Sequence, residues 1–259
     1  KAGRRFVHSA NWRKAKVLPN GELLVILNTG KWKFTLPDTL IKLDKNSDVI
    51  WKANVNAHHD LALDEKGRIF VLDNKRIVGT GNWISFNKLT IVDNSGQVIR
   101  TISLLKAFQE SEYKSYLPKR LSRDFLHTNT VEILDAEIAD EFSRFKAGDI
   151  LLSFRNIHTV AVMDGETFDI KWAVKGFTTG QHDPDFMPDG SIMIFDNRYI
   201  PTGTQKNFCS RIVSYDRENG SISAMYTSPD FSRQRAGSNS SSRMGIFSSL
   251  SPIVGPSWK

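Results

Sequence analysis

Cysteine is almost missing from this chain. Its 259 residues include one, Cys209, so no disulfide can form within the chain and no cysteine-rich metal site can be built. A single thiol is compatible with both a reducing and an oxidising compartment. Cysteine use therefore leaves a cytoplasmic and a periplasmic location equally open.

Long apolar runs are absent as well. No stretch approaches the roughly 18 consecutive apolar residues that a membrane-spanning helix requires. The first residues, KAGRRFVHSANW, lack the apolar centre of a signal peptide, and they open on Lys1 rather than on methionine. We expect no membrane span, and the start of the chain leaves open whether a targeting segment preceded it.

Several common functional motifs are also missing. The chain has no glycine-rich phosphate loop, no nucleophile-elbow serine and no HExxH zinc motif. It has no recognisable nucleic-acid module, and the Lys and Arg residues behind its net charge of +7 are scattered along the chain. We expect no nucleic-acid partner. The basic balance favours a small anionic substrate, with an unspecialised basic surface as the alternative.

What the chain does have is an internal repeat. Four segments share a glycine turn followed by an apolar strand, and each is followed by a hairpin with an aspartate at its turn. The glycine segments are LPNGELLVIL, DEKGRIFVLD, FKAGDILLSF and MPDGSIMIFD, with glycines at Gly21, Gly67, Gly148 and Gly190 and the aspartates at Asp44, Asp93, Asp164 and Asp216. Four short antiparallel strands per repeat is the blade of a propeller. The sequence therefore predicts an all-β protein, a β-propeller with about four blades visible.

Two segments depart from the repeat. Residues 104–123 form an insertion with the apolar spacing of a short amphipathic helix, ended by Pro118, and a further helical turn is expected within residues 136–145. The insertion is a candidate site wall or lid, with a surface decoration as the alternative. We place the propeller in residues 1–231. Residues 232–259 are rich in Ser, Arg and Gly, so we expect them to form a disordered tail or a truncated blade.

Histidines recur at one position of the repeat. His59 and His182 each begin a His-Asp pair eight residues before the turn glycine of their unit, and His127 precedes a longer turn in the third unit. The first strand of every propeller blade lies nearest the central channel, so equivalent residues on these strands converge there. The sequence therefore predicts a channel site that contains His59, His127 and His182.

The neighbours of these histidines suggest supporting roles. Asp60 and Asp183 are expected to orient the imidazoles through hydrogen bonds, although the His-Asp pairs are also consistent with bonds that only staple a blade. His58 would face the opposite side of a regular strand, so we give it a lesser, substrate-binding role. His8 and His158 have no matching turn context, and we expect them to be structural or exposed.

Arg155 and Asn129 complete the set of candidate residues. Arg155 ends an apolar strand, where its planar charge would suit a sulfate, phosphate or carboxylate, with a salt bridge to a neighbouring blade as the alternative. Asn129 would project to the same side of its strand as His127 and can donate to the same anion. Three histidines can also bind zinc or copper. We expect no metal, because metal centres seldom need a basic residue beside their ligands.

Three segments give the chain a family resemblance: DFLHTNTVEI, GDILLSFRNIHTVAVMD and GQHDPDFMPDGSIMIFDN. With the HHD segment before them, and over roughly Leu18 to Ser228, they resemble the arylsulfotransferases that use no nucleotide sulfate donor. Members of that family are six-bladed propellers with the active site in the central channel. The resemblance implies transfer of a sulfuryl group from a phenolic sulfate to a phenol acceptor, through a sulfohistidine and without a cofactor.

The resemblance also implies roles for individual residues. The nucleophile falls on His182 and the anion-stabilising arginine on Arg155, while His59, His127 and Asn129 complete the pocket. It further implies a periplasmic or secreted location, and a homodimer is the assembly we consider. Because the family has six blades, we expect the chain to be incomplete at one or both ends. A noncatalytic propeller that binds small anions or a protein partner in the same channel is the rival function.

Overall fold

Antiparallel strands make up most of the described chain. The computed structural model describes residues 11–28, 38–79, 82–121, 123–202, 205–208, 210–216 and 220–227. His8, Cys209 and the whole of the segment 232–259 lie outside these residues, so the expectations for them stay predictions.

The first two repeat units share one sheet of seven strands. The strands follow in chain order, each antiparallel to the next: β1 (Asn11–Val17), β2 (Leu23–Asn28), β3 (Asp38–Leu43), β4 (Val49–Leu63), β5 (Ile69–Gly79), β6 (Asn82–Val92) and β7 (Val98–Ser103). The first half of β4 pairs with β3 and its second half with β5, with an irregular register between Ala57 and Leu61. The last strand of the first blade therefore continues directly into the first strand of the second.

The third and fourth units form separate sheets of four strands. The third consists of β8 (Thr128–Ile133), β9 (Ile150–Phe154), β10 (Thr159–Met163) and β11 (Ile170–Lys175). The fourth consists of β12 (His182–Phe186), β13 (Ile192–Asp196), β16 (Arg211–Tyr215) and β17 (Ile222–Thr227), with an added hairpin of β14 (Tyr199–Thr202) and β15 (Gln205–Phe208) between β13 and β16. The predicted units are confirmed as blades of a β-propeller.

Turn chemistry explains why the repeat is visible in the sequence. Gly21 and Gly67 have φ of +83° and +72°, a backbone conformation that glycine adopts without a steric penalty. At the aspartate turns a carboxylate replaces a missing strand partner: Asp93 Oδ1 accepts from the backbone N–H of Ser95 at 2.8 Å and of Gln97 at 2.9 Å. Both signals are local, so each identifies its turn from sequence alone.

Apolar side chains hold neighbouring blades face to face. The strand β9 is buried along its whole length, and its side chains alternate between the two neighbouring blades. Leu152 and Phe154 pack with Phe70 of the second blade, whereas Leu151 packs with Ile192 of the fourth. The third blade is therefore packed between the second and the fourth.

This stacking brings the first strands of the blades together. The innermost strands are β1, the second half of β4, β8 and β12, and each contacts the next in this order. Residues at equivalent positions of these strands therefore lie around one channel, as the repeat predicts.

The insertion after β7 is helical, as predicted. It contains α1 (Leu104–Glu110) followed by a 3₁₀ turn at Glu112–Tyr116. Phe108 is fully buried, and its ring meets that of Phe154 edge to face with centroids 4.9 Å apart. The second predicted helical region is reduced to one 3₁₀ turn at Ala139–Glu141. Among the described residues, no helix has the length and apolarity needed to cross a bilayer.

Replacing Phe108 with alanine tests whether the insertion is anchored in the propeller core. We expect Phe108→Ala to lower the free energy of unfolding by about 3–5 kcal/mol, because it removes a fully buried ring between two blades. Urea denaturation measures the change. Lys106→Ala, at an exposed position of the same helix, is the control. Equal losses in the two variants would contradict the anchoring.

Candidate active site

The candidate residues lie where the inner strands begin. His58 and His59 lie at the bulge in β4, His127 immediately precedes β8, and His182 is the first residue of β12. Arg155 directly follows β9, the neighbour of β8. The residues come from three blades, and radial packing brings them to one end of the channel.

A pair of histidines forms the centre of the site. Nε2 of His59 lies 3.1 Å from Nε2 of His127, and Nδ1 of His127 lies 2.5 Å from Oδ2 of Asp124. The pKa of Asp124 is lowered, because the hydrogen bonds from His127 and Asn87 and the charge of His127 outweigh the opposing effect of burial. An ionised Asp124 requires a proton on Nδ1 of His127. One further proton is then shared between the two Nε2 atoms, so the pair can donate or take up a proton.

His58 belongs to the same cluster, which corrects our expectation that it faces away. Its ring centroid lies 4.0 Å from that of His59 and 5.9 Å from that of His127. The expectation assumed a regular strand, but His59 has φ of +60° at the β4 bulge, and this breaks the alternation of side chains. His127 also has a left-handed backbone, with φ of +48°. Such conformations cluster at functional sites in proteins.

The protonation of His182 follows from its neighbours. Nδ1 of His182 lies 3.0 Å from the backbone oxygen of Gly180. Nδ2 of Asn197 donates to the same oxygen at 2.5 Å, and this Nδ2 is also 2.9 Å from Nδ1 of His182. The Gly180 oxygen can only accept, so its contact favours a proton on Nδ1, whereas the Asn197 amide group favours a bare Nδ1. With the proton on Nδ1, the lone pair of a neutral His182 lies on Nε2.

Three histidines of the cluster, His58, His59 and His182, are held neutral. Burial is the largest cause that lowers the pKa of His182 to about 4, and the positive charges of Arg155 and His127 lower it further. Burial together with His127 lowers the pKa of His58 to about 3, and burial holds the pKa of His59 well below its usual range. At neutral pH, His182 is therefore a neutral imidazole beside the positive charge of Arg155.

Arg155 is fixed at the edge of this cluster. Its backbone N–H donates to the oxygen of His127 at 3.1 Å, and its Nη1 donates to Oδ1 of Asn156 at 3.2 Å. Nδ2 of Asn156 in turn donates to the backbone oxygen of Asp124 at 2.6 Å. The guanidinium and the Asp124–His127 pair are thus connected through one loop, and the charge of Arg155 is felt at His182.

Asn129 connects two inner strands. It is buried, and its Nδ2 donates to the backbone oxygen of Gln181 at 2.8 Å. The side chain of Gln181 is itself buried and donates to the oxygen of Thr159 at 3.0 Å. These bonds fix the start of β12, and hence His182, against the third blade. A direct contact between Asn129 and substrate stays a prediction.

The expected roles of Asp60 and Asp183 need correction. Oδ1 of Asp60 pairs with Nζ of Lys14 at 2.8 Å and its Oδ2 accepts from the backbone of Val131, while Asp183 bonds to Thr130. Neither carboxylate bonds to an imidazole, because each follows its histidine directly in the chain and projects elsewhere. Burial, followed by the charge of Asp60, raises the pKa of Asp183 to about 6. Both carboxylates therefore connect inner strands instead of orienting histidines.

Sequence reasoning missed two functional neighbours, Asp124 and Asn197. Asp124 lies three residues before His127 in the segment DFLH, and Asn197 ends the segment IFDN, so both stand in segments that attracted attention for other residues. Asp124 lies outside the repeat, whereas Asn197 holds the same repeat position as Asn74, seven residues after the turn glycine, and this signal could have identified it. His158 is structural as expected: its Nδ1 accepts from the backbone N–H of Gly180 at 3.2 Å. Over the described part of the chain, no three His, Cys, Asp or Glu side chains are placed to hold a metal ion.

Fold and site together define a β-propeller with a channel cluster of neutral histidines and one arginine. The profile of the family described as "Arylsulfotransferase (ASST)" matches residues 14–244. The chain therefore belongs to the arylsulfotransferase family. Among curated proteins, none matches it significantly.

Solved structures show distant likeness. A protein of unknown function from Bacteroides caccae superposes with a TM-score of 0.51 at 13% identity, over 87% of this chain and 70% of that one. The WD40 domain of Neurospora crassa Pan2 gives 0.46 at 16% identity, over 83% of this chain and 51% of that one. A catalytically inactive virginiamycin B lyase from Staphylococcus aureus gives 0.44 at 11%, over 85% and 71%. At these identities the likeness to the Bacteroides structure concerns the fold alone.

Removing the charge of Arg155 tests the electrostatics of the site. In Arg155→Gln we expect the pKa of His182 to rise from about 4 toward the ordinary histidine value of 6.5 while staying below it, because burial persists. The shift of the His182 ring protons with pH, followed by NMR, measures this. Arg144→Gln, an exposed arginine, is the control and should leave the titration unchanged. An unshifted titration in Arg155→Gln would contradict the coupling.

Proposed function

We propose that the chain transfers a sulfuryl group from a phenolic sulfate ester to a phenol acceptor, with His182 as the group that carries it. The observation behind this is a neutral His182, with Nδ1 3.0 Å from the Gly180 oxygen, beside the charge of Arg155. A neutral imidazole is a nucleophile, and an adjacent guanidinium stabilises charge on sulfonate oxygens. Membership of the arylsulfotransferase family supports the same class of reaction.

In the first half of the reaction, Nε2 of His182 attacks the sulfur of the donor ester. An N–S bond forms as the bond between sulfur and the phenolic oxygen breaks, and that oxygen leaves with the bonding electrons. The proton shared by His59 and His127 passes to the departing oxygen, so the donor leaves as a neutral phenol. Arg155 balances the negative charge of the sulfonate oxygens throughout.

In the second half, an acceptor phenol returns the sulfuryl group. Its hydroxyl proton passes to the His59–His127 pair as its oxygen attacks the sulfur, and the N–S bond breaks with its electrons returning to Nε2 of His182. The pair thereby regains the proton that it donated in the first half. No proton or electron is consumed over the cycle, so the proposed transfer needs no cofactor.

Asn129 and His58 are proposed to contact the substrate from the sides of this cluster. A periplasmic or secreted location, and a homodimer, belong to the same proposal. The residues invoked in the transfer all come from one chain, so the chemistry does not depend on a dimer.

Replacing the proposed nucleophile tests the proposal most directly. His182→Ala should abolish release of 4-nitrophenol from 4-nitrophenyl sulfate with phenol as acceptor, because no sulfohistidine can form. Mass spectrometry of the wild type, mixed with donor alone, should find one added SO₃ on the peptide containing His182. His158→Gln, which keeps a side-chain acceptor for the Gly180 backbone, should retain most of the transfer.

Two outcomes would count against the proposal. Undiminished turnover in His182→Ala would remove the assigned nucleophile. Saturable binding of the aryl sulfate by the wild type, without released phenol or a modified histidine, would favour the rival, a noncatalytic propeller that binds small anions.

The role of Asp124 is tested by a change that keeps its shape. Asp124→Asn should slow transfer from phenyl sulfate by about a hundredfold or more, since His127 loses the carboxylate that fixes its proton. Transfer from 4-nitrophenyl sulfate should suffer much less, because its leaving group needs little protonation. Single-turnover release of the leaving phenol, without an acceptor, isolates the first half-reaction and measures the difference, with Asp140→Asn as an exposed control. Equal losses with both donors in this half-reaction would indicate a structural role only.

A further inference from the structure

A separate cavity of about 430 Å³ lies beside the histidine cluster. Its walls come from β6, from the insertion after β7 and from the loop after β9. Four apolar side chains and four polar ones line it: Trp83, Pro118, Phe125 and Ile157, with Arg120, Arg123, Asp124 and Asn156. The volume suits a small aromatic molecule.

The cavity adjoins the candidate active site through two shared residues. Asp124, which holds Nδ1 of His127, is part of the cavity wall. Asn156, which accepts from Arg155 and donates to the backbone of Asp124, is part of it too. A molecule in the cavity would therefore lie next to Asp124 and Asn156, which connect the cavity to His127 and Arg155.

The wall of the cavity is built from a fixed backbone. The backbone N–H of Ser85 in β6 donates to the oxygen of Arg123 at 2.8 Å, and Ile84 forms a bridge with the same residue. Arg123 has a left-handed backbone, with φ of +45°. The guanidinium of Arg76 lies 4.4 Å from the ring of Trp83 and holds the indole in place. A left-handed backbone at a non-glycine residue occurs often at functional sites.

The residues that line the cavity carry more positive than negative charge. Arg120 and Arg123 are exposed at its wall, whereas its one carboxylate, Asp124, already bonds to His127 and to Nδ2 of Asn87. The rings of Trp83 and Phe125 provide flat apolar contacts beside these guanidinium groups. A flat ring that carries an anionic substituent matches both features.

We propose that this cavity binds the aromatic ring of the phenol, and that Arg120 and Arg123 select phenols with an anionic ring substituent. The same place holds the leaving phenol in the first half-reaction and the acceptor in the second, because the two steps are the reverse of each other. The link to transfer rests on the proposed function, whereas ring binding in the cavity does not.

Binding is measured first, because it needs no turnover. Isothermal titration calorimetry compares 4-hydroxybenzenesulfonate with phenol, in the absence of any sulfate donor. The wild type and His182→Ala should both bind the sulfonate about tenfold or more tightly than phenol. Arg120→Ala/Arg123→Ala should lose this preference, and Trp83→Ala should weaken the binding of both ligands.

Controls separate the cavity from general effects. Lys119→Ala removes a neighbouring exposed cation that does not line the cavity, and it should keep the full preference for the sulfonate. Thermal melting checks that each variant folds. Arg120→Ala alone, an exposed position, should lose part of the preference and supplies the test if a larger change unfolds the chain.

The outcomes distinguish this inference from the proposed function. A preference that survives in Arg120→Ala/Arg123→Ala, or that falls equally in Lys119→Ala, would overturn the inference whether or not transfer is detected. Loss of the preference in the double variant alone supports it, even if no sulfuryl transfer is found. If transfer is found, the KM for 4-hydroxybenzenesulfonate as acceptor should rise about tenfold in the double variant, with the KM for phenol unchanged.

Discussion

Face-to-face packing of the blades is the constraint on which this molecule depends. Because β9 is buried on both faces, the third blade can neither slide nor tilt without exposing the apolar layer on one side. That layer keeps the first strands of the blades side by side and so keeps residues from three separate units within hydrogen-bonding distance. The relative positions of the site residues therefore depend on apolar packing between the blades.

The same packing sets the chemistry of the histidines. Removing water from around an imidazole disfavours its charged form, and this is the largest cause of the lowered pKa of His58, His59 and His182. The guanidinium of Arg155 then has two effects: it lowers the pKa of His182 further, and it attracts anions. Asp124 is the exception in the cluster, since its contact with His127 favours a charged carboxylate. A neutral His182 and the proton-bearing His59–His127 pair therefore occur in the same cluster.

The sequence is informative where a signal is repeated or local. Turn glycines and turn aspartates identify the blades, and the matched positions of His59 and His182 indicate a common channel. The fusion of two blades through β4 could not be predicted from the sequence. It depends on which strand each half of β4 pairs with, and neither half carries a local signal for that pairing. Asp124 was missed because its contact arises from a loop outside the repeat. Asp60 and Asp183 were misassigned because adjacency in the chain does not mean adjacency of side chains.

The continuity of β4 couples two parts of the molecule that are far apart in the blade plan. Val49 lies on the outer rim of the first blade, and the same unbroken strand leads inward to His59. The outer half of β4 pairs with β3, and this pairing sets where the strand enters the bulge that holds His58 and His59. The perimeter of the first blade is therefore connected to the histidine cluster by a single strand.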